Sequence, residues 1–439
     1  MKKTLSLLLA LLMVVSLAAC GNDKPAKETK KEETKKEEGT KEEKKEEGTS
    51  EATKITLKVW GPQEDQAPRE GYEKGILAHF AEKFNAEHPE WDITFEYGVV
   101  GEDVAKDEVT KDLEKAADVF MFANDQIPFL VDSGALAKIG GKNLEAIKEM
   151  NSESMVNTVT YKDGVYGVPF AYNGWFMYYD KSKFTEEEVK DLDVMLAKDL
   201  GEGVTNVMFP LGNSWFMPAF FYGVGGTMFG PNGTDGTKGA DFNDEKGLAV
   251  ANYLIDLVAM KGKFDNKANE ETGKEIAAFS EGKLGAYFSG SWDRENIEKA
   301  LGENFACAQL PNFKAGEFQG TMKSFAGSKA IGVNPTSKNM AAAVALAVYL
   351  GSPEAQVVRY QARQVVPLDS TGLNDVMLTA ITNTVNNTSV AQPLVSEMSN
   401  WWSPAEAFGK SIVAGETNKD NVKEKLDNFI NNVNKGSGL

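Results

Sequence analysis

Cysteine and histidine are nearly missing from this chain, each occurring twice in 439 residues. With only Cys20 and Cys307, the disulfide framework that staples many exported proteins is excluded. His79 and His88 fall in one short amphipathic stretch, where a surface or half-buried histidine is the ordinary outcome. A histidine-based triad or a zinc site is poorly supplied. Basic residues are also scarce: 47 Lys+Arg face 65 Asp+Glu, for a net charge of −18. Residues 1–53 carry both signs equally, so the acid excess belongs to residues 54–439. That balance argues against nucleic acid and against an anionic substrate, both of which need a basic surface. Past residue 20 no long apolar run occurs. The aromatic stretch GNSWFMPAFFYGVGG (212–226) is broken by Pro218, Gly212 and Asn213 well short of the roughly 18 to 20 apolar residues of a spanning helix. Its YGVGG glycines lack the lysine of a phosphate-binding loop.

What is present begins with an export signal. MKKTLSLLLALLMVVSLAAC has two lysines, a leucine- and valine-rich run and small residues before Cys20, as a signal peptide does. The tetrapeptide Leu17-Ala18-Ala19-Cys20, followed by Gly21, resembles a bacterial lipobox. The resemblance implies cleavage after residue 19, lipidation of Cys20 and display on the extracellular face of the cytoplasmic membrane; a plain secretory signal is the alternative. Residues 20–53, with their KKEE blocks and no aromatic, cannot bury enough surface to offset ordering and are expected to be a disordered tether. Cys307, left without a partner in an apolar stretch, reads as an inert thiol.

The remaining residues exceed the size at which a single core stops growing, so two lobes are expected. ITLKVW (55–60) alternates as a strand, and Ile76, Leu77, Phe80 and Phe84 recur at helical spacing up to His88-Pro89. WDITFEY (91–97) reads as a strand, 102–116 as a charged helix, and DVFMF (118–122) as a third strand. This alternation predicts an α/β fold with a largely parallel sheet. Further on, a helix is predicted over 243–261, a strand over 283–288, and an Ala-rich helix over 337–350 capped by Ser337 and ended by Gly351.

ITLKVWG, ADVFMFANDQIPFLVDSGALAKI, YGVPFAYNGWFMYYDKSKF, FSEGKLGAYFSGSW and SKAIGVN resemble, in this order, the signposts of family 1 extracellular solute-binding proteins. The similarity is greatest to the maltose and maltodextrin binders of ABC importers. It implies a two-lobe periplasmic-binding-protein-like fold with a ligand cleft between the lobes. Three hinge crossings are implied near 171–176, 324–327 and 369–377. Lobe 1 would be 54–172 plus 327–372, and lobe 2 would be 173–326 plus 373–439. The implied function is capture of maltooligosaccharides and delivery to an ABC permease by a monomer without cofactor, metal or nucleic acid.

The same resemblance places aromatic platforms at Trp215, Trp292 and Trp402, with Trp401 the register alternative to Trp402, and an aromatic at Phe122. It places polar contacts at Asp125, Glu64 and Asp65, with Tyr172, Asn173 and Asn213 completing the set. Gln126, Asn173 and Asn213 stand where relatives often carry charged residues. Independently of resemblance, a pyranose offers CH-rich faces to flat rings and a belt of hydroxyls to short acids and amides. Three indoles each covering on the order of 100 Å² give roughly 7 kcal/mol at about 25 cal/mol/Å². A micromolar site needs roughly 8 kcal/mol before association costs, so polar contacts must supply the balance. Core packing is the alternative for every tryptophan and is preferred for Trp60 and Trp91; Trp175 stays open. Phe216, Phe220 and Phe221 read as core beneath Trp215. Solvated surface is the alternative for Glu64, Asp65 and Asp125. Asp293 and Arg294 read as a local ion pair or as caps of the helix that follows.

A surface glycoside hydrolase would need two carboxylates about 5 to 9.5 Å apart, and no motif nominates such a pair. A different oligosaccharide is a further alternative ligand. The loop PNGTDGTKGADFND (231–244) departs from calcium-loop spacing and reads as polar surface.

Overall fold

The computed structural model describes residues 52–266 and 273–435. The expected leader, Cys20 and the expected tether up to residue 51 lie outside the described residues.

Two sheets organise the described chain. In the first, strand Thr53–Gly61 pairs in parallel with Trp91–Val99 on one side and Val119–Ala123 on the other. Ser324–Val333 lies antiparallel to Val119–Ala123 and to Val168–Asn173. Its first residues, Ser324 to Ala326, pair in parallel with Ser389–Ala391. The second sheet runs in the order Phe305–Ala308, Trp175–Asp180, Leu284–Gly290, Thr205–Met208, Phe264–Asp265.

Each sheet has its own core. Helix Gly75–Glu87 buries Ile76, Leu77, Phe80 and Phe84 against Leu57, Val59, Phe120 and Phe122 of the first sheet. Helix Met340–Leu350 adds Leu346 and Leu350 to that core. Strand Trp175–Asp180 is buried on both faces. Trp175, Met177 and Tyr179 point into one core and Phe176 and Tyr178 into another, as the two-residue period of a central strand requires. Phe216, Phe220 and Phe221 sit in the first of these with Trp401. Trp60 and Trp91 are half-buried against the core of the first sheet, and Trp175 is fully buried.

The chain passes between the sheets at three places. Strand Val168–Asn173 belongs to the first sheet and Trp175–Asp180 to the second, with Gly174 alone between them. A Cβ at Gly174 would lie 2.3 Å from the Tyr172 hydroxyl, so any other residue here would have to displace that ring. Strand Ser324–Val333 places Phe325 in the core with Trp175 and Ile331 in the core with Phe80. The third passage lies between Val365, in the core of the first sheet, and Met377, beside the second.

Two local expectations are corrected. The helix expected over 102–116 covers only Ala105–Thr110; past it, Asp112 to Ala116 form a separate turn in which the Asp112 carbonyl accepts the Lys115 and Ala116 N–H groups. The Ala-rich helix begins at Met340, and Ser337 accepts only the Asn339 N–H, at 3.3 Å, rather than capping it. Its end at Gly351 is as expected.

Trp401 is wholly buried and donates its indole N–H to the Ser214 carbonyl at 2.9 Å. Trp401→Ala is expected to cost about 3–5 kcal/mol of stability, read as a lowered denaturant midpoint.

Candidate functional site

Loops at the carboxyl ends of the parallel strands converge on one cavity, as ligand sites in open α/β sheets do. Strand Thr53–Gly61 leads to Glu64, Trp91–Val99 to Glu102, Asp103 and Lys106, and Val119–Ala123 to Asp125 and Gln126. From the second sheet's side come Trp215, after Thr205–Met208, and Trp292, after Leu284–Gly290. Trp402, Lys329, Arg363 and Asn173 complete the wall of a cavity of about 540 Å³. One wall is thus charged and the other aromatic.

The aromatic wall is held by specific contacts. Trp215 and Trp292 lie with ring centroids 5.8 Å apart. The Trp215 indole N–H donates to Gln392 Oε1 at 3.1 Å, and the Gln392 N–H donates to the Ala326 carbonyl of the strand that passes between the sheets. Trp292 is 48% exposed and lies over Gly290, where a Cβ would come within 2.0 Å of its ring. Trp402 occupies the first turn of helix Ser399–Val413. Consecutive helical residues point about 100° apart, so Trp402 reaches the cavity while Trp401 is buried among Phe242 and Phe429.

On the charged wall, Lys329 Nζ lies 3.2 Å from Glu102 Oε1. Lys329 sits where the pairing of Ser324–Val333 with Val168–Asn173 shifts register, which turns its side chain toward the cavity mouth. Burial pushes the Asp125 carboxyl up to about 6, against the pull of the Lys106 ammonium and with a small contribution from Asp103.

Of the residues nominated from sequence, Glu64, Asp125, Asn173, Trp215, Trp292 and Trp402 line this cavity. Four do not. Asp65 is fully buried and ion-paired with Arg359, at 2.8 Å, and with Arg363. Burial acts to raise its pKa, but the two guanidiniums outweigh it and hold the carboxyl below its ordinary value. Phe122 is fully buried among Phe120 and Ile331, because its strand is covered on both faces. Tyr172 folds back over Gly174 into the core behind the cavity. Asn213 uses its Oδ1 to accept the Trp215 N–H at 2.9 Å, so it fixes the turn that carries the indole. Asp293 and Arg294 do not pair either: Asp293 accepts from Ser289, and Arg294 binds Asp375 and Glu298.

Glu102, Asp103, Lys106, Ala123, Gln126, Lys329 and Arg363 also line the cavity and are not among the residues that the resemblance places there. Glu102 to Lys106 follow a strand in the same way as Glu64 and Asp125, and that rule reaches them. Lys329 carried a weaker signal, a lone lysine inside an apolar strand; Arg363 carried none.

Residues 79–375 match the family model for bacterial extracellular solute-binding proteins, and the chain belongs to that family. The galactooligosaccharide-binding protein of Bacillus subtilis (strain 168) is 27% identical over 323 residues, 71% of this chain and 74% of that protein. Among solved structures, one determined with acarbose is 40% identical with a TM-score of 0.80, covering 87% of this chain and 99% of the other. The maltodextrin-binding protein MalE1 from L. casei BL23, solved without ligand, is 26% identical with a TM-score of 0.75, covering 87% and 99%. The two-lobe fold of periplasmic binding proteins is thereby established for this chain.

Because Asp65 is the carboxylate that Arg359 and Arg363 share, removing it leaves the fully buried Arg359 guanidinium without its counter-charge. Asp65→Asn is expected to cost about 3–5 kcal/mol in denaturant unfolding at neutral pH. The folded-state pKa of Asp65 is depressed, so the cluster's contribution is full above about pH 4 and is lost as acidification passes through the lowered value. The gap between wild type and variant is therefore expected to narrow in acid.

Proposed function

We propose that this protein is a lipid-anchored extracellular solute-binding protein that captures maltooligosaccharides and delivers them to an ABC permease. The observation that carries the ligand class is the opposition of Trp215, Trp292 and Trp402 to Glu64, Glu102, Asp125 and Asn173 across one cavity. Indoles cover the apolar faces of sugar rings, and acids and amides accept and donate to the hydroxyl belt. The relative solved with acarbose, an oligosaccharide mimic, is the most similar in sequence of those described above and supports an α-glucan. Anchoring rests on the lipobox-like sequence at Cys20, and permease delivery on family membership.

In the proposed mechanism the aromatic wall belongs to one lobe and the charged wall to the other. Ligand that touches both stabilises the closed arrangement by the difference in its contacts between the two states. Capture without cleavage is the proposed outcome.

The ligand class is tested by calorimetric titration of maltooligosaccharides and of galactooligosaccharides, with an assay for new reducing ends. Binding of the glucan series without release of reducing ends supports the proposal. Preference for the galactoside series would move the assignment toward the Bacillus subtilis relative, and release of reducing ends would make the protein a hydrolase.

Trp215→Ala and Trp292→Ala are each expected to weaken glucan binding by roughly 2 kcal/mol or more. Unchanged affinity in both variants rejects the platforms.

Acid is also expected to weaken binding. Hydroxyl donors favour ionised Asp125, so ligand lowers a carboxyl pKa that stands at about 6 in the free protein. By linkage, affinity is full above that pH and falls by up to about tenfold per unit below it; a flat profile through this range argues against contact with Asp125.

A further inference from the structure

In the turn Asn124–Gln126, one acid that lines the cavity stands between two buried carboxamides whose hydrogen bonds go to the protein, and Gln126 also borders the cavity. Asn124 and Gln126 are 1% and 4% exposed. Asn124 accepts the Ser328 N–H at 3.0 Å and donates to the Thr158 carbonyl at 3.1 Å. Gln126 uses both ends of its amide on one loop. Its Nε2 donates to the Glu102 carbonyl at 2.7 Å and to the Asp103 carbonyl at 2.8 Å, while its Oε1 accepts the Lys106 N–H at 2.8 Å. The Glu102 carbonyl also accepts the Ala123 N–H at 3.0 Å, so it has two donors.

We propose that Gln126 is a positioning residue for the ligand site, whose carboxamide locks the 102–106 loop to the Asp125 turn and so fixes the Lys106 ammonium relative to the Asp125 carboxylate. The proposal rests on the oligosaccharide reading of the cavity. Chemistry makes a carboxamide the fitting side chain here. A guanidinium could donate to the two carbonyls but cannot accept the Lys106 N–H, and a carboxylate could accept that N–H but would repel both carbonyls. Glutamine in this place therefore spends its hydrogen bonds on the loop while bordering the cavity.

The loop carries three of the charged groups that line the cavity, Glu102, Asp103 and Lys106; the others are Glu64, Asp125, Lys329 and Arg363. Lys106 is the cation that opposes the burial of Asp125, and Asp103 works weakly the other way. Releasing the loop separates Lys106 from Asp125 and makes the acid harder to ionise. Loss of Gln126 is thus expected to reach the ligand through Asp125.

The full chain tests this with Gln126→Met, which keeps the length and removes all three bonds. Glucan affinity is expected to fall about tenfold at neutral pH, the size of one buried polar group left unsatisfied. Its acid limb is expected to move to higher pH, and hydrogen exchange in the ligand-free protein is expected to quicken within residues 102–106 only. Lys106→Met is expected to move the acid limb in the same direction without quickening exchange in the loop. The double variant is expected to move the limb no further than Lys106→Met does, since both act through the charge of Lys106. An unmoved limb in Gln126→Met, a limb that moves additively in the double variant, or exchange raised across the whole protein overturns the proposal. Should Gln126→Met not fold, Gln126→Glu decides: it is expected to keep the Lys106 amide protected and to weaken binding, and unchanged binding overturns the proposal. If the wild type binds no glucan, the ligand assignment fails separately. Titration of Asp125 by carboxyl NMR in ligand-free wild type, Gln126→Met and Lys106→Met then still tests the positioning role.

Discussion

The seam between the two sheets is a pair of antiparallel strands, Val168–Asn173 and Ser324–Val333, and the cavity is referenced to it. A backbone that leaves one sheet for another must keep its N–H and C=O groups satisfied on the way. Here the two passages do this partly by bonding to one another, with Gly327 opposite Asn173. The seam has no room to spare. A Cβ at Gly327 would meet Asn124 Oδ1 at 2.4 Å, and one at Gly174 would meet the Tyr172 hydroxyl. Both walls are tied to it: Asn124 bonds to Ser328 beside the Asp125 turn, and Gln392 bonds Ala326 while holding the Trp215 indole. A shift of the seam would move both walls.

The two walls make different demands. Indoles need only a rigid support and an open face, which a backbone glycine under Trp292 and a hydrogen bond at Trp215 Nε1 supply. A charged wall must also keep its own groups from neutralising or repelling one another at short range. The Lys329–Glu102 pair and the Asp65 cluster answer this on two levels: the first lies at the cavity, the second beneath it. Arg363 belongs to both, since it lines the cavity and binds Asp65. The deep cluster thereby holds a cation at the ligand wall at the expense of a buried acid that never meets ligand.

Much of this was legible in sequence where the signal is local. The strand and helix periods around Val59 and Phe80 are local, and so is the break of the aromatic run at Pro218. Glu64 and Asp125 were reached through the family resemblance; the rule that loops after parallel strands face the ligand side of such sheets agrees with both. Asp65, adjacent to Glu64, was not separable from it by any local rule. Helical geometry after Pro62 points one side chain out and the next in, and only Arg359 and Arg363, nearly 300 residues later, decide which is buried. The same applies to the Trp401 and Trp402 pair, whose phase is set by the packing of helix Ser399–Val413 on Phe429.

The sequence by itself determined the acidic charge, the α/β alternation and the break of the aromatic run at Pro218, since composition and short-range period need no partner. Tertiary structure decided which indoles stay open, which acid is consumed in a buried ion pair, and that Gln126 faces the loop. Those outcomes depend on contacts between segments distant in the chain. Burial, which pushes the Asp125 carboxyl up, and the two guanidiniums, which hold the buried Asp65 carboxyl down, are properties of the packed molecule and are written at no single position.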